Sequence, residues 1–221
     1  MKEVLIITDF DGCFADSKTR RDGFFEEICK KYGKPDPKKI IVEMSDGMPR
    51  KMADEYAALG FEWERDKKMI WGDFIEYFNA NPPEIFRGTR DAIEKCRRDG
   101  FKTAIGSLNS NKLILPFIGM HNLESLFHTV KTKEDSKLKH RILLKCAEQL
   151  DVKPRDCIYL GDHLWDIDAA EKAGMTPISV GYGKFCSPEV LLGRIPQEQF
   201  AATPQDVYST IIRNIKNNGS A

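Results

Sequence analysis

Between residues 90 and 180 the chain repeats one unit, an amphipathic helix that halts at a turn-forming residue and passes directly into a short apolar strand. A helix over 90–99, with Thr89 as its N-cap and Gly100 as its stop, leads into a strand over 103–106. A helix over 139–150 passes through Val152-Lys153-Pro154 into a strand over 157–160, and a helix over 167–173 stops at Gly174 before a strand over 176–180. Shorter strands are expected at 128–130 and 200–202, and a closing helix over 205–216. Strands separated by helices pair in parallel through right-handed crossovers, so this alternation predicts an α/β fold, a parallel sheet with helices on both faces.

The chemistry of such a sheet lies outside the carboxyl ends of its strands. The earliest apolar strand ends abruptly in Ile6-Ile7-Thr8-Asp9-Phe10-Asp11-Gly12-Cys13. Residues two apart on an extended chain point the same way, so Asp9 and Asp11 converge while Phe10 turns back into protein. Two converging carboxylates repel unless a cation sits nearby, and an all-oxygen ligand set suits a hard ion such as Mg²⁺. Gly12 permits the sharp departure from the strand. The other strand ends carry Ser107, Asn109 and Ser110, then Lys131, Lys133 and Lys137, then Gly161, Asp162 and Asp166. Acids, a hydroxyl and an ammonium are thus expected at one rim.

Between the first strand and the repeated units the pattern is helical throughout, with amphipathic segments near 22–32, 37–45, 49–60 and 66–81, closed by Asn81-Pro82-Pro83. The expected organisation is a core of residues 1–16 and 83–221 with a separate helical module of 17–82. At 221 residues the chain has room for one α/β core and such an insert. Lysine plus arginine balance aspartate plus glutamate at 34 each, so no overall field points to nucleic acid or a membrane surface, and a small soluble partner is expected. The apolar run from Val4 to Ile7 is too short for a leader peptide or a spanning helix, which points to the cytoplasm. The six cysteines form no C-x-x-C pair, and reduced, apolar thiols are expected, with neither disulfides nor zinc.

Asp9-Phe10-Asp11-Gly12-Cys13 resembles the first motif of the haloacid dehalogenase-like superfamily, Asp-x-Asp-Gly followed by Thr or Val, with Cys13 in the fifth place. Ala104-Ile105-Gly106-Ser107 is similar to its second motif, and Leu160-Gly161-Asp162-His163-Leu164-Trp165-Asp166 to its fourth. The resemblance implies a Rossmann-like core with a small all-helical C1 cap, and a Mg²⁺-dependent phosphatase acting on a small phosphorylated metabolite such as a sugar phosphate or a phosphoglycolate-like acid. Asp9 is then the nucleophile that forms an aspartyl phosphate, and Asp11 the acid and base. Ser107 and Asn109 bind the phosphoryl group, and Asp9, Asp11, Asp162 and Asp166 hold the metal. The third-motif lysine is expected at Lys137, ahead of Lys133 and Lys131. The family's usual Lys-Pro pair is absent, Leu138 following.

Gly47-Met48-Pro49-Arg50-Lys51 resembles the Gly-x-x-Arg substrate loop of the β-phosphoglucomutase-like group, which makes Arg50 a candidate reader of the leaving group. A phosphomutase shares all four motifs and is the alternative activity. A non-catalytic binding protein retaining the fold is the alternative from another class, and a monomer or homodimer is expected. His163 is expected at the rim as a bystander, Cys13 as a small filler, Trp165 as a packing or entrance residue, and Trp63 and Trp71 in the core of the helical module.

Overall fold

The computed structural model describes residues 3–44 and 51–218. The apolar run near the start becomes β1 (Leu5–Thr8), every residue of it buried. It is flanked in parallel by β2 (Lys102–Gly106) and β4 (Cys157–Gly161), with Thr8 level with both Ile105 and Leu160. Outside these lie β3 (Thr129–Lys131), β5 (Thr176–Val180) and β6 (Phe200–Ala201), giving one parallel sheet in the order β3-β2-β1-β4-β5-β6. Alternate residues feed opposite faces: Ile6, Ile105, Ile158 and Ile178 enter one apolar cluster, and Leu5, Ile7, Ala104 and Tyr159 enter the other. Because the chain goes from β1 to β2 on one side and reaches β4 on the other, a crevice opens at the end of β1.

Helices cover both faces: α5 (Arg87–Arg98), α6 (Asn111–Met120), α7 (Lys139–Gln149), α8 (Leu164–Lys172), α9 (Pro188–Leu192) and α10 (Val207–Asn218). The helix expected at 90–99 begins three residues earlier, with Phe86 at its cap. The Thr89 hydroxyl is instead buried against the Tyr182 hydroxyl at 2.5 Å. Helix α6 has no counterpart in the sequence reading, and Pro116 lies inside it. Proline has no N–H for the carbonyl four residues back, and that carbonyl, on Lys112, accepts instead from Asn79 Nδ2 at 3.4 Å.

The four expected helices between β1 and β2 are present as α1 (Ser17–Lys31), α2 (Lys38–Glu43), α3 (Met52–Ala58) and α4 (Trp63–Ala80). They share an apolar cluster of their own, including Phe24, Phe25, Ile28, Tyr56, Leu59 and Ile70. Helix α4 also packs on α6, and its Phe78 meets Phe10, just after β1, with ring centroids 6.3 Å apart. The two strands of chain that enter and leave this bundle run side by side, tied by Asp16 N–H donating to Glu84 O at 2.8 Å and Phe86 N–H donating to Phe14 O at 3.0 Å. Among the described residues no helix is long and apolar enough to cross a membrane.

Candidate active site

Level strand ends deliver the first residues after β1, β2 and β4 to one place. Asp9 is 6% exposed, Asp162 4% and Asp166 2%. One carboxylate oxygen from each lies within 4.8 Å of the others. Asp9 Oδ1 accepts from the Phe10 N–H at 2.8 Å, and its Oδ2 accepts from Lys139 Nζ at 2.5 Å. The same ammonium lies 2.5 Å from Asp166 Oδ1. Burial works against the Lys139 charge, but Asp166 and Asp9 together raise it far above its ordinary value. Both Asp166 oxygens have partners in the protein, since the other accepts from the His163 N–H at 3.1 Å at the start of α8.

Lys137, where the third-motif lysine is expected, is not the lysine on Asp9 Oδ2. Lys137 is exposed, while Lys139 is 8% exposed and holds Asp9. The physical reason is helical phase. Lys139 opens α7 three and four residues before buried Ile142 and Leu143, on the stripe that faces the sheet, whereas Lys137 lies on the loop before it. That stripe was the available signal. Lys131 is ion-paired with Asp135 at 3.5 Å, and Lys133 Nζ sits 3.6 Å over the Trp71 ring.

Asp11 is placed beside Asp9 as its spacing requires, but its carboxylate is outside the group of three, and its Oδ2 accepts from Asn109 Nδ2 at 2.8 Å. Its side chain, expected among the metal ligands, stands outside that cluster with Asn109 on one oxygen. Asn109, expected to bind substrate, donates through Nδ2 to Asp11 and accepts through Oδ1 from the Ser110 N–H at 2.7 Å. Ser107 is buried and within reach of Asp9, whose charge it favours. The loop carrying these residues is anchored by Glu134, which accepts from the Ser110 hydroxyl at 2.7 Å and the Asn111 N–H at 3.1 Å. Arg50, the expected substrate reader, lies outside the described residues.

The donor set fits a divalent cation. Asp162 Oδ2 is buried without a hydrogen-bond partner. Burial, then repulsion from Asp166 and Asp9, pushes Asp162 well above the ordinary carboxylate range. Three buried carboxylates share one ammonium, so a hard cation with oxygen ligands would remove the imbalance. Asp9 and Asp162 would be the residues to hold one, with Asp166 as the partner that fixes Lys139 beside them. Gly12, at φ +69°, and Gly183 flank the unpartnered oxygen so closely that a Cβ on either would overlap Asp162.

This imbalance has a thermodynamic signature. Burial and then Asp9 repulsion raise Asp11 from 3.8 to about 6. An acid whose pKa is higher folded than unfolded binds more protons in the native state, so the stability it lends at low pH is lost as pH rises from about 4 through 6. Two acids act the other way. Arg65 beside Asp66 holds its carboxyl down to about 2, and against burial the Ser110 and Asn111 bonds hold Glu134 down to about 2. Their contribution fails only below their ordinary values of 3.8 and 4.5. Metal-free protein is therefore expected to lose on the order of 1–3 kcal/mol between about pH 4.5 and 7, a few degrees in Tm for a chain of this size. Added Mg²⁺ restores it, increasingly as pH rises, because an Asp11 that has lost its proton adds negative charge beside the acids that a cation would offset. Thermal melts with chelator and with Mg²⁺ across that range check this, and a Mg²⁺ effect that does not grow with pH contradicts it.

Above these acids lies a cavity of about 850 Å³ between the core and the helical bundle. Trp63 and Trp71, expected inside the module's core, are only partly buried. They pack at the edge of the apolar clusters and line this cavity. His163 is a wall residue too, its imidazole pushed down to about 3 by burial and then by Lys139, so it is neutral. Cys13 is buried behind the site with its thiol 3.2 Å from the Thr8 hydroxyl.

Residues 6–180 match the family model described as haloacid dehalogenase-like hydrolase. The chain is 27% identical over 186 residues to a phosphoglycolate phosphatase of Chromobacterium violaceum, covering 79% of this chain and 83% of that one. It is 32% identical over 173 residues to a glyceraldehyde 3-phosphate phosphatase of Methanopyrus kandleri, covering 72% and 65%. A solved haloacid dehalogenase-like hydrolase of Streptococcus pneumoniae superposes with a TM-score of 0.78 at 18% identity, over 95% of this chain and 98% of that one. With the strand-end acids, the buried lysine and the sheet order already in place, the match across most of the chain leads to one conclusion: the chain belongs to the haloacid dehalogenase-like hydrolase family.

Proposed function

We propose that this chain is a Mg²⁺-dependent phosphatase that hydrolyses a phosphate monoester of a small metabolite through an aspartyl phosphate on Asp9. The observation that carries the reading is the setting of Asp9, a buried carboxylate with one oxygen on the Lys139 ammonium, two residues before an acid that sits near neutrality in its pKa. The two relatives named above carry phosphatase names, which supports the same class.

The roles follow from charge and position. A phosphate ester brings negative charge to a pocket already rich in acids. Lys139 offsets part of it, and the Ser107 hydroxyl stands where it can hydrogen-bond a phosphoryl oxygen. A bound Mg²⁺ supplies the remaining positive charge and orients the phosphoryl group. Asp9 attacks phosphorus in line, and the P–O bond to the leaving group breaks. Asp11, poised at about 6 and held by Asn109, gives its proton to the leaving oxygen, then takes one from the water that cleaves the acyl phosphate. Residues 17–82 act as a cap over a core of 1–16 and 83–221, excluding water when they close and contacting the leaving group. The six free, buried cysteines fit a reducing compartment such as the cytoplasm.

The test is a panel of phosphate monoesters assayed for free phosphate with Mg²⁺ and again with excess chelator. Hydrolysis that needs no bisphosphate activator and falls by at least about 100-fold on chelation is expected. Turnover only in the presence of a bisphosphate points to phosphoryl transfer between hydroxyls instead. Absence of turnover across a broad panel points to a binding protein.

A further inference from the structure

The cavity over Asp9, at about 850 Å³, falls within the roughly 300–1,000 Å³ of pockets that enclose drug-sized ligands. A two-carbon acid leaves most of it empty. Its about five heavy atoms occupy on the order of 100–150 Å³, scaling from about 30 Å³ per water. The walls are not generic. The helical bundle contributes Trp63, Trp71 and Phe74, and the core contributes Trp165 from the first turn of α8 and Phe185 from the loop after β5. Trp165 is 49% exposed although it is among the largest apolar side chains, and it stacks on His163 rather than entering the core. Phe185 carries the Arg21 guanidinium 5.0 Å from its centroid, and Lys133 lies over Trp71. Rings thus face the cavity from two bodies, and one ring of each, Phe185 and Trp71, already has a cation over its π-face.

We infer that the leaving group carries a flat aromatic ring, received between Trp71 on the helical bundle and Trp165 and Phe185 on the core. The inference rests on the phosphatase reading and narrows it. A planar ring can lie against aromatic walls on both sides with offset or edge contacts, gaining quadrupole attraction beyond the burial that any apolar group would gain. A cation on a wall ring adds a favourable face for an electron-rich ring. A small hydroxy acid or triose has no apolar or π surface to set against these rings. The same walls explain why an exposed tryptophan is held at the entrance: with substrate seated, its free surface is covered.

The deciding comparison holds the reacting centre constant. Benzyl and 2-naphthylmethyl phosphates have the same primary-alkoxide leaving chemistry as cyclohexylmethyl phosphate, while 2-phosphoglycolate represents the small acids. The expected result is a kcat/KM for the naphthylmethyl ester at least about 30-fold above that for phosphoglycolate, and benzyl above cyclohexylmethyl by at least about fivefold. Trp165→Leu should lower the benzyl-to-cyclohexylmethyl ratio toward one, and Phe185→Leu is the second variant should the first fail to fold. Equal rates for benzyl and cyclohexylmethyl esters, or a preference for phosphoglycolate, overturn the inference while leaving the phosphatase reading intact. Should no ester turn over, the phosphatase reading fails, and calorimetric titration of Asp9→Asn with the same four ligands still decides the ring question. Tighter binding of the aromatic pair sustains it, and indistinguishable Kd values for the benzyl and cyclohexylmethyl ligands overturn it.

Discussion

Asp9→Asn lowers kcat by at least about 10³-fold and leaves a folded protein that binds phosphate esters. The carboxamide keeps the acceptor for the Phe10 N–H and the shape of the side chain, so β1 and its neighbours need not move. It cannot form the acyl phosphate, because an amide oxygen is a poor nucleophile and the resulting adduct has no stable neutral form. The variant also removes one of three crowded buried carboxylates, so its Tm without metal should equal or exceed that of the parent. The checks are single-turnover kinetics and acid-quench trapping of phosphoprotein, present in the parent and absent in the variant. Residual turnover above about 10% of the parent removes Asp9 from the reaction.

Lys139→Met lowers kcat by about 10²–10³-fold, whereas Lys137→Ala changes it by less than about twofold. Lys139 Nζ is shared between Asp9 and Asp166, at 2.5 Å from each, in a place almost sealed from water. Methionine preserves most of the volume but leaves both acids without their cation. Removing one partner of a buried pair costs about 3–5 kcal/mol, part of which bound Mg²⁺ should recover. Lys139→Arg should not rescue activity, because a planar guanidinium does not fit the space of a buried ammonium that touches two carboxylates, one just after β1 and one on α8. Lys137 is exposed, and its removal touches none of these groups. The reverse pattern, with Lys137→Ala inactive and Lys139→Met active, would return the role to the loop.

These two variants mark where the sequence was legible. Asp9 and Asp162 could be found because each directly follows a short apolar strand, and the strand period together with the parallel rule puts such residues at one edge. Lys139 escaped because its neighbourhood offers several lysines, and only the phase of α7 against the sheet selects one. Trp63 and Trp71 were ambiguous for a related reason. Helical spacing marks the face that avoids water, and that face serves both the bundle's own core and the wall of a cavity. Helix α6 was hidden by Pro116, whose missing hydrogen bond is made good by Asn79 from another helix, a partner no local pattern can show.

The sequence by itself determined the parallel α/β sheet, the helical insertion after its first strand, and the set of acids at the strand ends. All of these follow from periodicity and from the residues at which periodicity stops. Only the tertiary structure decided which lysine meets Asp9, that the Asp11 and Asn109 side chains hold each other, that Asp162 keeps an unpartnered oxygen, and that aromatic rings from two bodies enclose one cavity. Those outcomes depend on distances between segments up to 130 residues apart. Burial and pairing energies are set at such contacts, and no local stretch of chain encodes them.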